Sequence, residues 1–253
     1  MTTFIKNLVA DQYNLFNVGE NKAPVNKSGN TMNGWEKMTY EALVKQHNYN
    51  SSRWGLRLGE QANGKWIMSL DFDIYDKKTK NDCPITKGLL TEYLENCKNQ
   101  NGMYSSSTDG NMNVLIDYTD SEHIKTLFKQ IGATKFTNHG LEILIRQNQV
   151  IPPTQTKCKK TGTLGKPRAF ILPDQPFYII SDNDPEDFTY AIVKQLCEEK
   201  LNVSTKKPEP TLAIKSEQAE SPPKEPEENK STNEDKFIDL LFNVIKNEKN
   251  EQG

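Results

Sequence analysis

Lys65-Trp66-Ile67-Met68-Ser69-Leu70-Asp71-Phe72-Asp73 is an apolar run that ends in two carboxylates one residue apart. On a strand, side chains at i and i+2 leave the same face. Asp71 and Asp73 are therefore predicted to point at one site, where two like charges call for a cation between them. Hard divalent ions take oxygen ligands and often use only one or two carboxylates, with substrate phosphates completing the shell. The plainer alternative is a strand end carrying two solvated acids.

Working outward, Arg53-Trp54-Gly55-Leu56-Arg57-Leu58-Gly59 reads as a strand closed by a glycine turn. Gln61-Ala62-Asn63-Gly64 then supplies a hairpin connection, so the acidic pair sits on the second strand of a predicted hairpin. Upstream, Phe4, Ile5, Leu8 and Val9 have helical spacing, and Tyr13, Leu15 and Phe16 follow. Thr39 is placed to cap a short helix running to about His47. Downstream, Pro84 suits the first turn of a helix reaching about Lys98. A strand rich in hydroxyls, residues 102–107, turns through Thr108-Asp109-Gly110 into a second strand at 111–117. Ile124, Leu127, Phe128 and Ile131 make one stripe of a helix over 121–131. Strands follow at 141–145 and 149–151, the latter closed by Pro152-Pro153. Asp184 and Pro185 read as the cap and first residue of a helix whose face carries Phe188, Ile192, Val193 and Leu196.

Composition bounds the chain. A formal net charge of −2 with 26% charged residues excludes a uniformly basic polyanion binder, although a local basic patch suffices for nucleic acid. A hydrophobic content of 34% is low for a fully folded chain and points to a disordered part. Residues 203–233, dominated by Pro, Glu, Lys and Ser, are that predicted disordered linker. Phe237, Ile238, Leu240, Leu241, Val244 and Ile245 make an apolar stripe within 234–253, a helix with no partner nearby. Cys83, Cys97, Cys158 and Cys197 stand far apart without a C-x-x-C pair, so they read as reduced thiols, with no disulfide framework and no zinc site. No apolar run nears 18 residues and the N-terminus lacks a signal-peptide core. A soluble, intracellular protein with no membrane partner is expected.

Glu142 is the third acid of interest. It lies inside the apolar strand Leu141-Glu142-Ile143-Leu144-Ile145, where an acid must face solvent or a partner. Taken alone, it reads better as an outward-facing strand position, which antiparallel sheets allow freely. Together with Asp71 and Asp73 on one concave sheet face, it would instead complete a two-metal site of the kind that clamps attacking and leaving oxygens in phosphoryl transfer.

The order of Lys22-Ala23-Pro24, Gly34-Trp35, Gly55-Leu56-Arg57-Leu58-Gly59, Leu70-Asp71-Phe72-Asp73, the Ser/Thr-Gly hairpin, and Glu142 followed by Val150-Ile151-Pro152-Pro153 resembles the archaeo-eukaryotic primase superfamily. More narrowly, it resembles the primase-polymerase domain of primase-helicases from large DNA viruses and mobile elements, over roughly residues 1–200. The resemblance implies an α/β (α+β) fold: an RRM-like antiparallel catalytic sheet with flanking helices and an N-terminal α/β unit. It implies a DNA primase or polymerase that makes or extends primers by template-directed nucleotidyl transfer. Asp71, Asp73 and Glu142 would be catalytic ligands of two Mg²⁺ or Mn²⁺ ions. Ser105, Ser106, Ser107, Thr108 and Gly110 would lie along the triphosphate of an NTP or dNTP, and Asn113 stands where the family's second motif has histidine. An Asn amide donates a hydrogen bond there but carries no charge.

Arg57 is a further nucleotide-binding candidate. Lys157, Lys159, Lys160, Lys166 and Arg168 form a basic segment read either as a solvated loop or as a contact to single-stranded DNA template. Trp35, Trp54 and Trp66 offer base-stacking surfaces or core packing. In this family a helicase follows the linker, in the host cytoplasm or nucleus for a virus, and residues 234–253 would begin that region. No G-x-x-x-x-G-K-[ST] loop occurs in the sequence. Two alternatives remain: a catalytically weak primase-like module that binds DNA, and a haloacid-dehalogenase-type phosphatase. Tyr75 and the antiparallel hairpins fit the second poorly.

Overall fold

A computed structural model describes residues 1–75, 81–138, 140–158 and 161–205, with backbone alone for residues 204 and 205. The expected linker and the helix at 234–253 lie almost wholly outside the described residues. Its first residues, 203–205, close a helix instead. The fold is mixed α/β, with two mainly antiparallel sheets and five α-helices among the described residues.

The smaller sheet has β1 (Leu15–Val18), β2 (Pro24–Val25), β3 (Trp54–Arg57) and β10 (Asn148–Ile151) in the order β10-β3-β1-β2. The larger sheet runs β11 (Tyr178–Ser181), β7 (Met112–Asp120), β5 (Trp66–Phe72), β9 (Leu141–Leu144), β8 (Lys135–Asn138). Two short strands, β4 (Gly59–Glu60) and β6 (Met103–Ser105), lie alongside β5 and β7. One pairing is parallel, β11 on β7.

The predicted hairpin over 53–73 is corrected here. Trp54–Arg57 pairs with β1 and β10 in the small sheet, and only Gly59–Glu60 pairs with the acidic strand. Gly59, at φ 97°, takes the left-handed backbone that turns the chain from one sheet to the other.

Strand alternation gives β5 two unlike faces. Phe72 and its neighbours Met68 and Leu70 face the helical side. There α3 (Pro84–Asn96) packs on β5, with the Phe72 and Tyr93 rings 5.2 Å apart. On the same side, Phe128 of α4 (Glu122–Ile131) meets Tyr118 of β7 edge-on at 5.3 Å. Ser121 caps α4, as its sequence position requires. The last helix, α5 (Phe188–Thr205), starts later than expected. Asp187, not Asp184, caps it by accepting from the Tyr190 N–H at 2.9 Å, while Asp184 pairs with Lys98.

The opposite face of β5 begins with Ile67. It joins Leu115 and Leu144 in a core with Ile5 and Leu8 of α1 (Thr3–Ala10) and with Leu15, Trp54 and Leu56 of the small sheet. Burying this much aliphatic and aromatic surface is the dominant stabilising term. Trp54 is 1% exposed, so core packing and not base stacking is its role. Among the described residues no helix is long and apolar enough to cross a membrane.

His47, just past α2 (Tyr40–Val44), reports on this packing. Its Nε2 lies 2.8 Å from the Leu15 carbonyl, which only accepts, so Nε2 carries the proton. Its Nδ1 is buried with no partner, and burial lowers the imidazole pKa. The folded value therefore lies below the unfolded one of about 6.5. The unfolded chain binds the extra proton, so this contribution to stability is present above about pH 6.5 and is lost as pH falls below it. The urea midpoint should drop between about pH 7 and pH 5, and His47→Gln should flatten that slope. An identical slope in the variant would assign the pH dependence elsewhere.

Candidate functional site

The apolar face of β5 turns polar toward its C-terminal end, where Ser69 and Asp71 continue the row begun by Ile67. The register places Asp71 directly opposite Asn113 of β7 on one side and Glu142 of β9 on the other. Directly opposed residues in antiparallel strands have Cβ atoms about 4.5–5.5 Å apart. Asn113, Asp71 and Glu142 thus form one row across three adjacent strands, with two carboxylates side by side in it.

This row floors a pocket of about 240 Å³ at the margin between the sheets. Lys22, Asn148, Gln149 and Val150 line it from the small-sheet side, and Ser106, Lys135 and Arg168 are among the residues that line it with the row itself. Lys135 pairs with Glu142 and so meets part of the negative charge.

Arg168 is the correction with most consequence for the site. Read in sequence as part of a basic segment that is either solvated or in contact with DNA, it is 4% exposed. Its guanidinium donates to Ser107 Oγ at 2.8 Å, Thr156 Oγ1 at 3.1 Å and the Thr154 carbonyl at 3.3 Å, and its Nε is buried without a partner. Burial lowers its pKa and the Asp71 carboxylate opposes that, which ties Arg168 electrostatically to the acidic row. A guanidinium stays charged in such surroundings, so the pocket holds a fixed cation. Lys157 and Lys166 remain on the surface, Lys166 paired with Asp109 at 3.1 Å. Lys159 and Lys160 lie outside the described residues.

The other predicted residues divide. Ser106 and Asn113 line the pocket. Ser107 and Thr108 are buried, and Ser107 Oγ is occupied by Arg168 and Thr156. Ser105 Oγ accepts from the Ala169 N–H, and Gly110 makes its turn at φ 84°. Arg57 is turned away from the site. It donates to the carbonyls of Trp35, Glu36 and Met38, holding that segment against the small sheet.

Asp73 lies just past the end of β5 and does not line the pocket. The Asn111 amide donates to its carboxylate. Among the described residues, no group of three His, Cys, Asp or Glu stands close enough to hold a metal ion. The donor chemistry nevertheless fits a hard cation. Asp71 and Glu142 share the pocket as oxygen donors, while Asn111 Oδ1, a buried acceptor with no partner, lies with Asp73 outside its lining.

Gln149, Lys135 and Asn148 escaped the sequence reading. The signal for Gln149 was present: a polar residue inside the short strand that ends in Val150-Ile151, just before two prolines. No family model matches the chain, and neither the curated proteins nor the solved structures contain a match to it.

Proposed function

We propose that the chain is a template-directed nucleotidyltransferase of the primase-polymerase type, with its larger sheet as an RRM-like catalytic platform. The observation that carries this reading is the Asn113–Asp71–Glu142 row facing a buried arginine across one small pocket. Carboxylates beside fixed cationic and amide donors suit a metal-bound polyphosphate, which needs both.

In the proposed reaction a primer 3′-hydroxyl gives up its proton to water as its oxygen bonds to the α-phosphorus of an NTP or dNTP, the α–β anhydride breaks and pyrophosphate leaves. Asp71 and Glu142 would hold Mg²⁺ or Mn²⁺, with Asp73 as the third acid, and the bound cation supplies Lewis acidity to the phosphate and the attacking hydroxyl. Arg168 would face the anionic oxygens as a dry, preorganised charge. Lys22 and Lys135 would add positive charge at the rim, and Lys135 must leave Glu142 for a cation to take its place. The half-exposed Lys135 side chain has room to do so. Single-stranded DNA would be the template, and a helicase the C-terminal neighbour.

A second reading, a primase-like module that binds without catalysis, is favoured by the Lys135–Glu142 pair and by the position of Asp73 outside the pocket lining. Extension of a primed single-stranded template, with NTPs and dNTPs supplied separately in Mg²⁺ or Mn²⁺, separates the two. Incorporation that follows template sequence is the expected result. DNA binding with no incorporation under any of these conditions would leave the second reading.

A further inference from the structure

We infer that Gln149 is a positioning residue that locks the Asn113 side chain with its NH₂ group toward the pocket, making it a fixed neutral donor to a phosphate oxygen. The ligand class rests on the function proposed above; the orientation does not.

The orientation follows from one backbone carbonyl. The Val150 carbonyl can only accept, and the Tyr104 hydroxyl donates to it at 3.1 Å. With its proton committed, the Tyr104 oxygen must act as acceptor toward Gln149, whose Nε2 lies 2.6 Å away. Nε2 has a second proton, directed at Asn113 Oδ1 at 2.5 Å. Amide nitrogens donate and amide oxygens accept, so each step leaves a single choice. Asn113 Oδ1 is thereby occupied on the Gln149 side, and its Nδ2 is left for the pocket that Asn113 lines.

All three side chains are buried: Tyr104 is 0% exposed, Asn113 3% and Gln149 7%. Water therefore competes poorly for these bonds, and a reversed amide would bury two unsatisfied groups. Burial also raises the Tyr104 phenol pKa, so it stays protonated and keeps the relay polarised at any ordinary pH. The same fixed polarity makes Asn113 a donor whose strength does not change with pH, unlike an imidazole.

The test begins without nucleotide. In ¹⁵N-labelled protein the Gln149 Nε2 protons should exchange slowly with water and the Asn113 Nδ2 protons quickly. The reverse pattern overturns the proposal, whether or not the protein proves to be a polymerase. With nucleoside triphosphate and Mg²⁺, Gln149→Glu forces Asn113 to donate backward and turns its carbonyl into the pocket. KM for nucleotide should rise about tenfold, the effect of one lost hydrogen bond, with kcat little changed.

Gln149→Leu, which frees the amide without inverting it, should raise KM about threefold. It also serves as the readout if a buried glutamate prevents folding. In an Asn113→Ala background neither Gln149 change should alter KM further, because Gln149 acts through Asn113. Equal KM effects with and without Asn113 would mean that Gln149 touches the ligand itself or only supports the fold, and would overturn the proposal. Absence of all activity in the wild-type protein would count against the proposed function, while the exchange pattern would still decide the orientation.

Discussion

Asp71→Ala is expected to reduce templated nucleotide incorporation by about 10³-fold, the scale of losing a central electrostatic group of an active site. Asp71 is the middle member of the row, opposed by Asn113 on β7 and Glu142 on β9, so no neighbour can take its place. Two effects on the fold oppose each other. Loss of the carboxylate relieves repulsion with Glu142, but it removes a negative charge that helps Arg168 stay ionised while buried. Arg168 keeps three hydrogen-bond acceptors of its own, so the net change in stability should lie within about 1 kcal/mol. Extension assays in Mg²⁺ and in Mn²⁺, beside thermal melts, check both halves. Extension at the wild-type rate by Asp71→Ala would end the polymerase reading. Asp73→Ala is the internal comparison: a similar loss makes Asp73 part of the donor set, whereas a small one leaves it as the partner of Asn111.

How far the sequence could be read depended on whether a signal was local. The central strand β5 was legible because it is buried on both faces and so reads as a nearly continuous apolar run, with Ile67, Ser69 and Asp71 on one face and Met68, Leu70 and Phe72 on the other. Helices with a proline or hydroxyl at the start, such as α3 and α4, were also found near their observed limits. The strand β8 was missed because Lys135-Phe136-Thr137-Asn138 is an edge strand with a single buried apolar residue. The start of α5 was misread because two aspartates compete for the cap. Asp187 wins, since it also accepts from Tyr178 Oη at 2.6 Å and is held in place. Arg168 was misjudged for a similar reason. A basic run looks solvated in sequence, and only the fold reveals that Ser107, Thr154 and Thr156 surround one member of it.

Gly102→Ala is expected to cost about 3–5 kcal/mol, at the severe end for a single substitution, and to lower the melting temperature by roughly 10 °C. Gly102 lies between β7 and β11, the one parallel pair of the fold and the pair least visible in sequence. Its carbonyl accepts from the Leu115 N–H at 3.0 Å and its N–H donates to the Gln175 carbonyl at 2.8 Å. At φ 71° a side chain is already strained. Beyond that, a Cβ would collide with the Leu115 carbonyl oxygen and come within 2.6 Å of the Tyr178 backbone nitrogen. Both obstacles are main chain, so relief requires β11 to move off β7 rather than a side chain to rotate. Gly132→Ala separates the two causes. Gly132 has φ 68° as the cap of α4, with nothing within 4 Å of a built Cβ, so its loss should cost only about 1 kcal/mol for backbone strain. If Gly102→Ala is no worse than Gly132→Ala by denaturant titration, β11 does not sit where it closes the sheet beside β7. The expected excess of a few kcal/mol would instead fix that edge, and with it the strand whose other side holds Asn113 against Asp71.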